Sequence, residues 1–244
     1  YNCEHSIFKS IGYTLRNVYA RWTKAYLRNV DMFACITEFQ KKKLIEAGYD
    51  KNKITVIPNS IDAPCSYTPT SGEYIAYIGR LSYEKGYDLL VEVARKHPEI
   101  KFCFAGAQRE QKNTDIPSNV EFAGYLQKDK LLEFIQKARF IVIPSRCYEG
   151  FPMAILEAAC HGKPAIASNH GGFTEIIGQG ENAIGKLFEP GNTDDLDKQI
   201  AELWNNQTLT EELGEKAFKK LKKHYDSEVV YKQWETLFSK LKNS

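Results

Sequence analysis

Two glutamates, Glu149 and Glu157, stand eight positions apart in the stretch PSRCYEGFPMAILEAACHGKPAIAS, separated by Gly150, Phe151, Pro152 and an apolar helical run. A buried strand, a turn and a buried helix need no acids to pack, so the pair is where chemistry is to be sought. Pro152 suits the first helical position, where its missing N–H removes no bond. The amides that follow, of Met153 and Ala154, then lack intrahelical acceptors and can point at an anion. At 1.5 Å of rise per residue the two acids lie at most about 12 Å apart along a helix axis. Without a ligand, Glu157 could equally be one half of an ion pair on a half-exposed helix, and Glu149 an ordinary loop acid.

A second constellation lies in GRLSYEKG. Gly79 allows a tight exit from a strand, Arg80 follows at once, and Lys85 precedes Gly86 at a helix start. Two cations and a helix N-terminus facing one crevice make an anion site, although loop cations are also simply solvated. The spacing is not that of a phosphate-binding GxxxxGK[ST] loop. If the anion is a diphosphate, the span between the two acids matches the reach from the ribose to the sugar of a nucleotide sugar. Gly171 and Gly172 in SNHGGFTEI would let a backbone approach a ligand closely. Asp194 and Asp195 read as helix-capping acids rather than a metal-binding pair.

These residues must be positioned by something, and the apolar pattern says what. From Ser6 to about Arg28, apolar residues recur at spacings of three and four among five cations, predicting one amphipathic helix. DMFACIT reads as a strand, EFQKKKLIEAG as a helix ended by Gly48, and KITVIPNSID as a strand leading into a turn. Residues 64–73, rich in Pro, Ser, Thr and Gly, read as a linker. Beyond them strands YIAYIG, IKFCFAG, VEFAG, RFIVIPS, PAIAS and GKLF alternate with helices. Apolar strands in that alternation predict an α/β fold, a doubly wound parallel sheet covered on both faces, preceded by a partial β/α region. Helices are expected from Thr193, capped by Asn192 or Thr193, from Glu211 to about Lys223, and from Glu228 to Lys242. The expected division is 1–63, 64–73 as linker, 74–225, and 226–244 as a C-terminal helix packing back on the first unit.

Composition narrows the field. The 244 residues are 43% hydrophobic and 26% charged, ordinary globular values, and a net charge of +2 gives no footprint for nucleic acid. No apolar run is long enough to span a bilayer. The six cysteines form no CxxC pair and the five histidines no HxxxH, so a metal site is not expected. Reduced, packed cysteines point to the cytoplasm. The basic amphipathic helix leaves open a peripheral contact with the inner face of a membrane, against packing within the first unit.

Taken in order, IGRLSYEKGYDLL, FAG, VEFAGYL, PSRCYEGFPMAILEAACHGKPAIAS and GGFTEII resemble the nucleotide-sugar-binding domain of glycosyltransferase family 4, retaining enzymes of GT-B architecture. The resemblance covers residues 31 to about 225. It implies that Arg80 and Lys85, after Gly79, hold a donor diphosphate, and that Glu149, with Gly150 and Phe151, meets the transferred sugar. It also implies that Met153 and Ala154 lie at the phosphates, Glu157 takes the ribose hydroxyls, and Leu126 borders the base. Arg80, Lys85 and Glu149 are then the expected catalytic residues, acting without metal or cofactor. The implied function is transfer of a sugar from a UDP- or GDP-type donor to a glycan or lipid-linked acceptor. A non-catalytic nucleotide-sugar-binding module is the alternative, and an epimerase or phosphorylase relative a further one. Set against the family pattern, the chain is expected to lack most of the first domain, and His5 is not expected to serve as that domain's histidine.

Overall fold

The computed structural model describes residues 7–108 and 115–242, without the side chains of Ala25 and Tyr26. His5 and part of the loop expected from Gln108 to Ser118 lie outside these residues. The first helix is interrupted. Helix α1 runs Ile7–Thr23 and α2 runs Ala25–Asn29, with Lys24 between them in a left-handed conformation at φ 52° that ends the helical ladder. Strands β1 (Phe33–Cys35) and β2 (Ile54–Val56) pair in parallel around α3 (Glu38–Glu46). The Thr37 side chain caps α3 by accepting from the Gln40 amide. Residues 64–73 hold no helix or strand.

The second part is built on six parallel strands: β3 (Tyr74–Ile78), β4 (Phe102–Ala105), β5 (Val120–Gly124), β6 (Ala138–Ile143), β7 (Ala165–Ser168) and β8 (Gly185–Phe188). Their order across the sheet is β5-β4-β3-β6-β7-β8. Alternate residues of one strand serve opposite faces. Ile75 and Tyr77 pack with α4 (Tyr87–Lys96) and α8 (Thr193–Asn205), through Leu90, Val93, Leu196 and Ile200. Tyr74 and Ala76 face a layer containing α5 (Asp129–Lys137), α6 (Met153–Cys160), α7 (Gly172–Ile177) and α9 (Gln207–His224). One strand departs from the expected double burial. β5 forms the sheet edge, and four of its five residues are exposed, Phe122 among them. Its composition explains this, because Glu121 cannot enter a core and Gly124 brings no side chain to one.

Helix starts follow the caps. Asn192, not Thr193, caps α8, its side chain accepting from the Asp194 and Asp195 amides. α9 begins four residues ahead of its expected start because Asn206 accepts from the Leu209 amide. The chain then turns into α10 (Ser227–Lys242), whose buried residue is Val230. At that turn it meets itself. The Ile61 amide donates to the Tyr225 carbonyl at 3.0 Å, and the Ser227 amide to the Ile61 carbonyl at 3.1 Å.

Candidate functional site: the crevice between β3 and β6

The strand order dictates where a ligand goes. The chain proceeds from β3 outward through β4 and β5, then returns to lay β6, β7 and β8 on the other side. β3 and β6 are therefore the switch point, and a crevice opens beyond their carboxyl ends. The loop after β3 carries Gly79, Arg80 and Lys85; the loop after β6 carries Glu149, Gly150 and Phe151.

The fold brings Lys85 and Glu149 into direct contact. Their side chains form an ion pair, each about one-fifth exposed, 64 positions apart in sequence. The Ser145 hydroxyl lies 3.4 Å from the same Glu149 oxygen. Gly86 permits this approach. It sits at φ +69°, where a side chain is disfavoured, and a Cβ there would lie 1.9 Å from the Pro144 carbonyl oxygen. Arg80 stands apart from this pair, its guanidinium 3.6 Å from Glu84, while its carbonyl accepts from the Tyr77 hydroxyl at 2.7 Å.

Pro152 does not take the first helical position. Its ψ of 99° makes it the N-cap, and its carbonyl accepts from the Ile155 amide at 3.1 Å. Proline supplies no side-chain acceptor, so the amides of Met153 and Ala154, which open α6, still precede its intrahelical bonding. α6 is apolar almost all round, burying Ile155, Leu156, Ala158, Ala159 and Cys160. Glu157 is the exception. It is half-buried, burial raises its carboxyl above the ordinary value, and it has no hydrogen-bond or ion-pair partner among the described residues. The ion pair that would explain it as plain structure is not formed there. Leu126 packs on the same core face as Phe151, Met153 and Ala154.

Gly171 and Gly172 bring the start of α7 close to the loop after β6. The Gly172 amide donates to the Glu149 carbonyl at 3.0 Å, and a Cβ at Gly172 would lie 2.4 Å from the Gly150 carbonyl oxygen. The close backbone approach they allow is to the Glu149 loop itself. Sequence reasoning passed over Ser145, Arg146 and Asp88, which brace the two loops; no spacing marks them, because they meet only through the strand order. A cavity of about 700 Å³ opens beside the start of α6, lined by Ile36, Ile57, Met153, Tyr231 and Trp234 among others. Of the expected donor residues, Met153 alone reaches its wall. Among the described residues no three His, Cys, Asp or Glu side chains gather as a metal site, and no helix is long and apolar enough to cross a membrane.

Comparison with known proteins places this arrangement. A structure of the Anabaena protein HepE in complex with UDP superposes with a TM-score of 0.79 at 19% identity, over 89% of this chain and 66% of that one. A glycosyltransferase from Rickettsia africae does so at 0.78 and 21%, over 93% and 68%. At such identities the likeness establishes the GT-B fold. In sequence, an uncharacterized glycosyltransferase of Methanocaldococcus jannaschii is 32% identical over 77% of this chain and 53% of its own length. A 2-deoxystreptamine N-acetyl-D-glucosaminyltransferase of Niallia circulans is 28% identical over 67% and 48%. The chain thus spans about half the length of the curated relatives it matches. Residues 3–63 match the model for Glycosyltransferase Family 4, and residues 66–220 match that for Glycosyl transferases group 1. With more than half its length under that second model, the chain belongs to the glycosyl transferases group 1 family, with the GT-B architecture.

Proposed function

We propose that this chain is the donor-binding part of a retaining glycosyltransferase that moves a sugar from a nucleoside-diphosphate sugar to a glycan or lipid-linked acceptor. The observation that carries the reading is the meeting of Lys85 and Glu149 at the switch-point crevice, with Glu157, on the helix that follows, unpartnered among the described residues. Two similar proteins support it, since HepE was solved with UDP and the Niallia circulans relative is a 2-deoxystreptamine N-acetyl-D-glucosaminyltransferase. In this reading residues 74–225 hold the donor, 1–63 belong to an acceptor-side unit, 64–73 link the two, and 226–244 return to the first.

Breaking the anomeric C–O bond leaves positive charge on the sugar and negative charge on the departing diphosphate. Arg80, Lys85 and the amides of Met153 and Ala154 stabilise that leaving group by fixed charge and dipoles, without calling on a metal. Lys85 changes partner when the diphosphate arrives, which frees the Glu149 carboxylate to accept from sugar hydroxyls. Glu157, acceptor-only when ionised, suits a vicinal diol such as the ribose 2′- and 3′-hydroxyls. Leu126 borders the base. The exposed face of α1, with Phe8 and Trp22 beside Lys9, Arg16 and Arg21, supplies a peripheral contact with an anionic membrane surface.

Calorimetry with UDP, GDP and the corresponding nucleosides tests the assignment. Replacing both Arg80 and Lys85 by Ala should abolish most of the preference for nucleoside diphosphate over nucleoside. Retained preference in a folded variant would remove the diphosphate role, and equal loss for both ligands would mark misfolding.

A further inference from the structure

The loop carrying Lys85 and the loop carrying Glu149 are held together by a side chain that belongs to neither pair of expected donor contacts. The Arg146 guanidinium grips Asp88 with both terminal nitrogens, at 2.7 and 2.9 Å. One of those nitrogens also donates to the Tyr83 carbonyl at 2.7 Å, and the guanidinium carbon lies 4.1 Å from the centre of the Tyr83 ring. The Arg146 amide donates to the Glu84 carbonyl at 2.9 Å, joined there by the Cys147 amide at 3.3 Å and the Ser145 hydroxyl at 3.3 Å. Tyr83 and Glu84 immediately precede Lys85, and Asp88 lies in the first turn of α4 just after it. Lys85 is therefore bracketed on both sides by residues fastened to Arg146, three positions from Glu149.

We propose that Arg146 is a positioning residue of the donor site, setting the separation between the cation meant for the diphosphate and the carboxylate meant for the sugar. The inference rests on the donor reading of Lys85 and Glu149. A planar fork is required for this grip on Asp88 and Tyr83 together; a lysine retains the charge but cannot make the two parallel bonds or stack on the ring. Arg146 and Asp88 act as one unit, so the loss of either releases the same constraint.

The test is calorimetric titration of the full chain with inorganic pyrophosphate, a probe that needs no knowledge of the base or the sugar. The variants are Arg146→Lys, Asp88→Asn, the double variant and Lys85→Ala. Each single clamp variant should weaken the dissociation constant about tenfold, with the double variant no worse than either. A clamp serving stability alone would lower the melting temperature or the fraction of binding-competent protein, but not the affinity of the molecules that remain folded. Unchanged affinity in both single variants, or additive losses in the double, overturns the proposal. If wild type gives no Lys85-dependent binding, the donor reading falls and this inference with it. Lys85-dependent binding that ignores Arg146 and Asp88 removes only the inference.

Discussion

Glu157 is held in a setting that disfavours its charge. Its carboxyl is raised by burial and unmatched by a partner among the described residues. A carboxyl raised in the folded state binds its proton more tightly there than in the unfolded chain. The native state is then favoured below the unfolded value, and stability is lost as pH climbs through the native one. Glu157→Gln should accordingly melt higher than wild type at pH 7, with the difference closing as the pH falls below about 4.5. The same substitution, or Glu157→Ala, should weaken UDP or GDP binding by about ten- to a hundredfold, since two hydrogen bonds to a charged acceptor are weakened or lost. Unchanged affinity by calorimetry would take Glu157 away from the ribose. Stability and binding moving in opposite directions is the mark of a residue kept for its ligand.

Among the elements, the loop after β3 depends on one backbone position. Gly86→Ala must escape both a left-handed φ and the Pro144 carbonyl, and the strain should lower stability by about 1–3 kcal/mol in denaturant unfolding. Lys163 offers a second check. It is buried, its amine donating to the Thr70 carbonyl and hydroxyl at 2.9 and 2.6 Å, and burial, with Arg139 adding to it, lowers its pKa to about 8. A lysine depressed in this way destabilises the fold while charged. Wild type should therefore gain stability relative to Lys163→Met as pH rises from about 8 to about 10.5, and a flat difference in melting temperature over that range would contradict the burial.

The elements also show what was legible in the sequence. Six largely apolar runs of four to seven residues, alternating with helical periods, pointed to a covered parallel sheet, and each strand lies where its run predicts, although β5 at the edge is mostly exposed. Boundaries were less legible. Whether Pro152 caps α6 or opens it depends on one ψ angle, and α9 starts where Asn206 finds an amide. Lys85 and Glu149 were legible as types in loops, and their contact became inferable once the switch point was known. Arg146 and Asp88 were not, because residues 58 positions apart carry no trace in sequence of a contact made by strand order. α1 marks the limit of periodicity. Its spacing foretold an amphipathic face, but a pattern names no partner, and none of its described side chains is buried.

Over the whole molecule, stability is unevenly distributed. The largest fully buried side chains, including Tyr77, Phe102, Phe104, Phe140 and Phe173, belong to the six-stranded unit, while Ile7, Phe8, Leu15 and Trp22 of α1 stay exposed. Hydrogen exchange should therefore find the amides of β3, β6 and β7 opening only with global unfolding, and those of α1 exchanging orders of magnitude faster. A nucleoside diphosphate should slow exchange around the β3 and β6 loops and leave α1 unchanged. Protection of α1 equal to that of β6 would contradict this division.

The meeting of Ile61 with Tyr225 and Ser227 has a practical consequence. The chain enters and leaves the six-stranded unit through two backbone segments that are hydrogen-bonded to each other. The intervening 163 residues, 62 to 224, are thus a cassette with adjacent ends. Units of that kind can be spliced into a surface loop of an unrelated host without prising its strands apart. A graft joined at Ile61 and Tyr225 should fold inside such a host, carrying the β3–β6 crevice with it as a portable module.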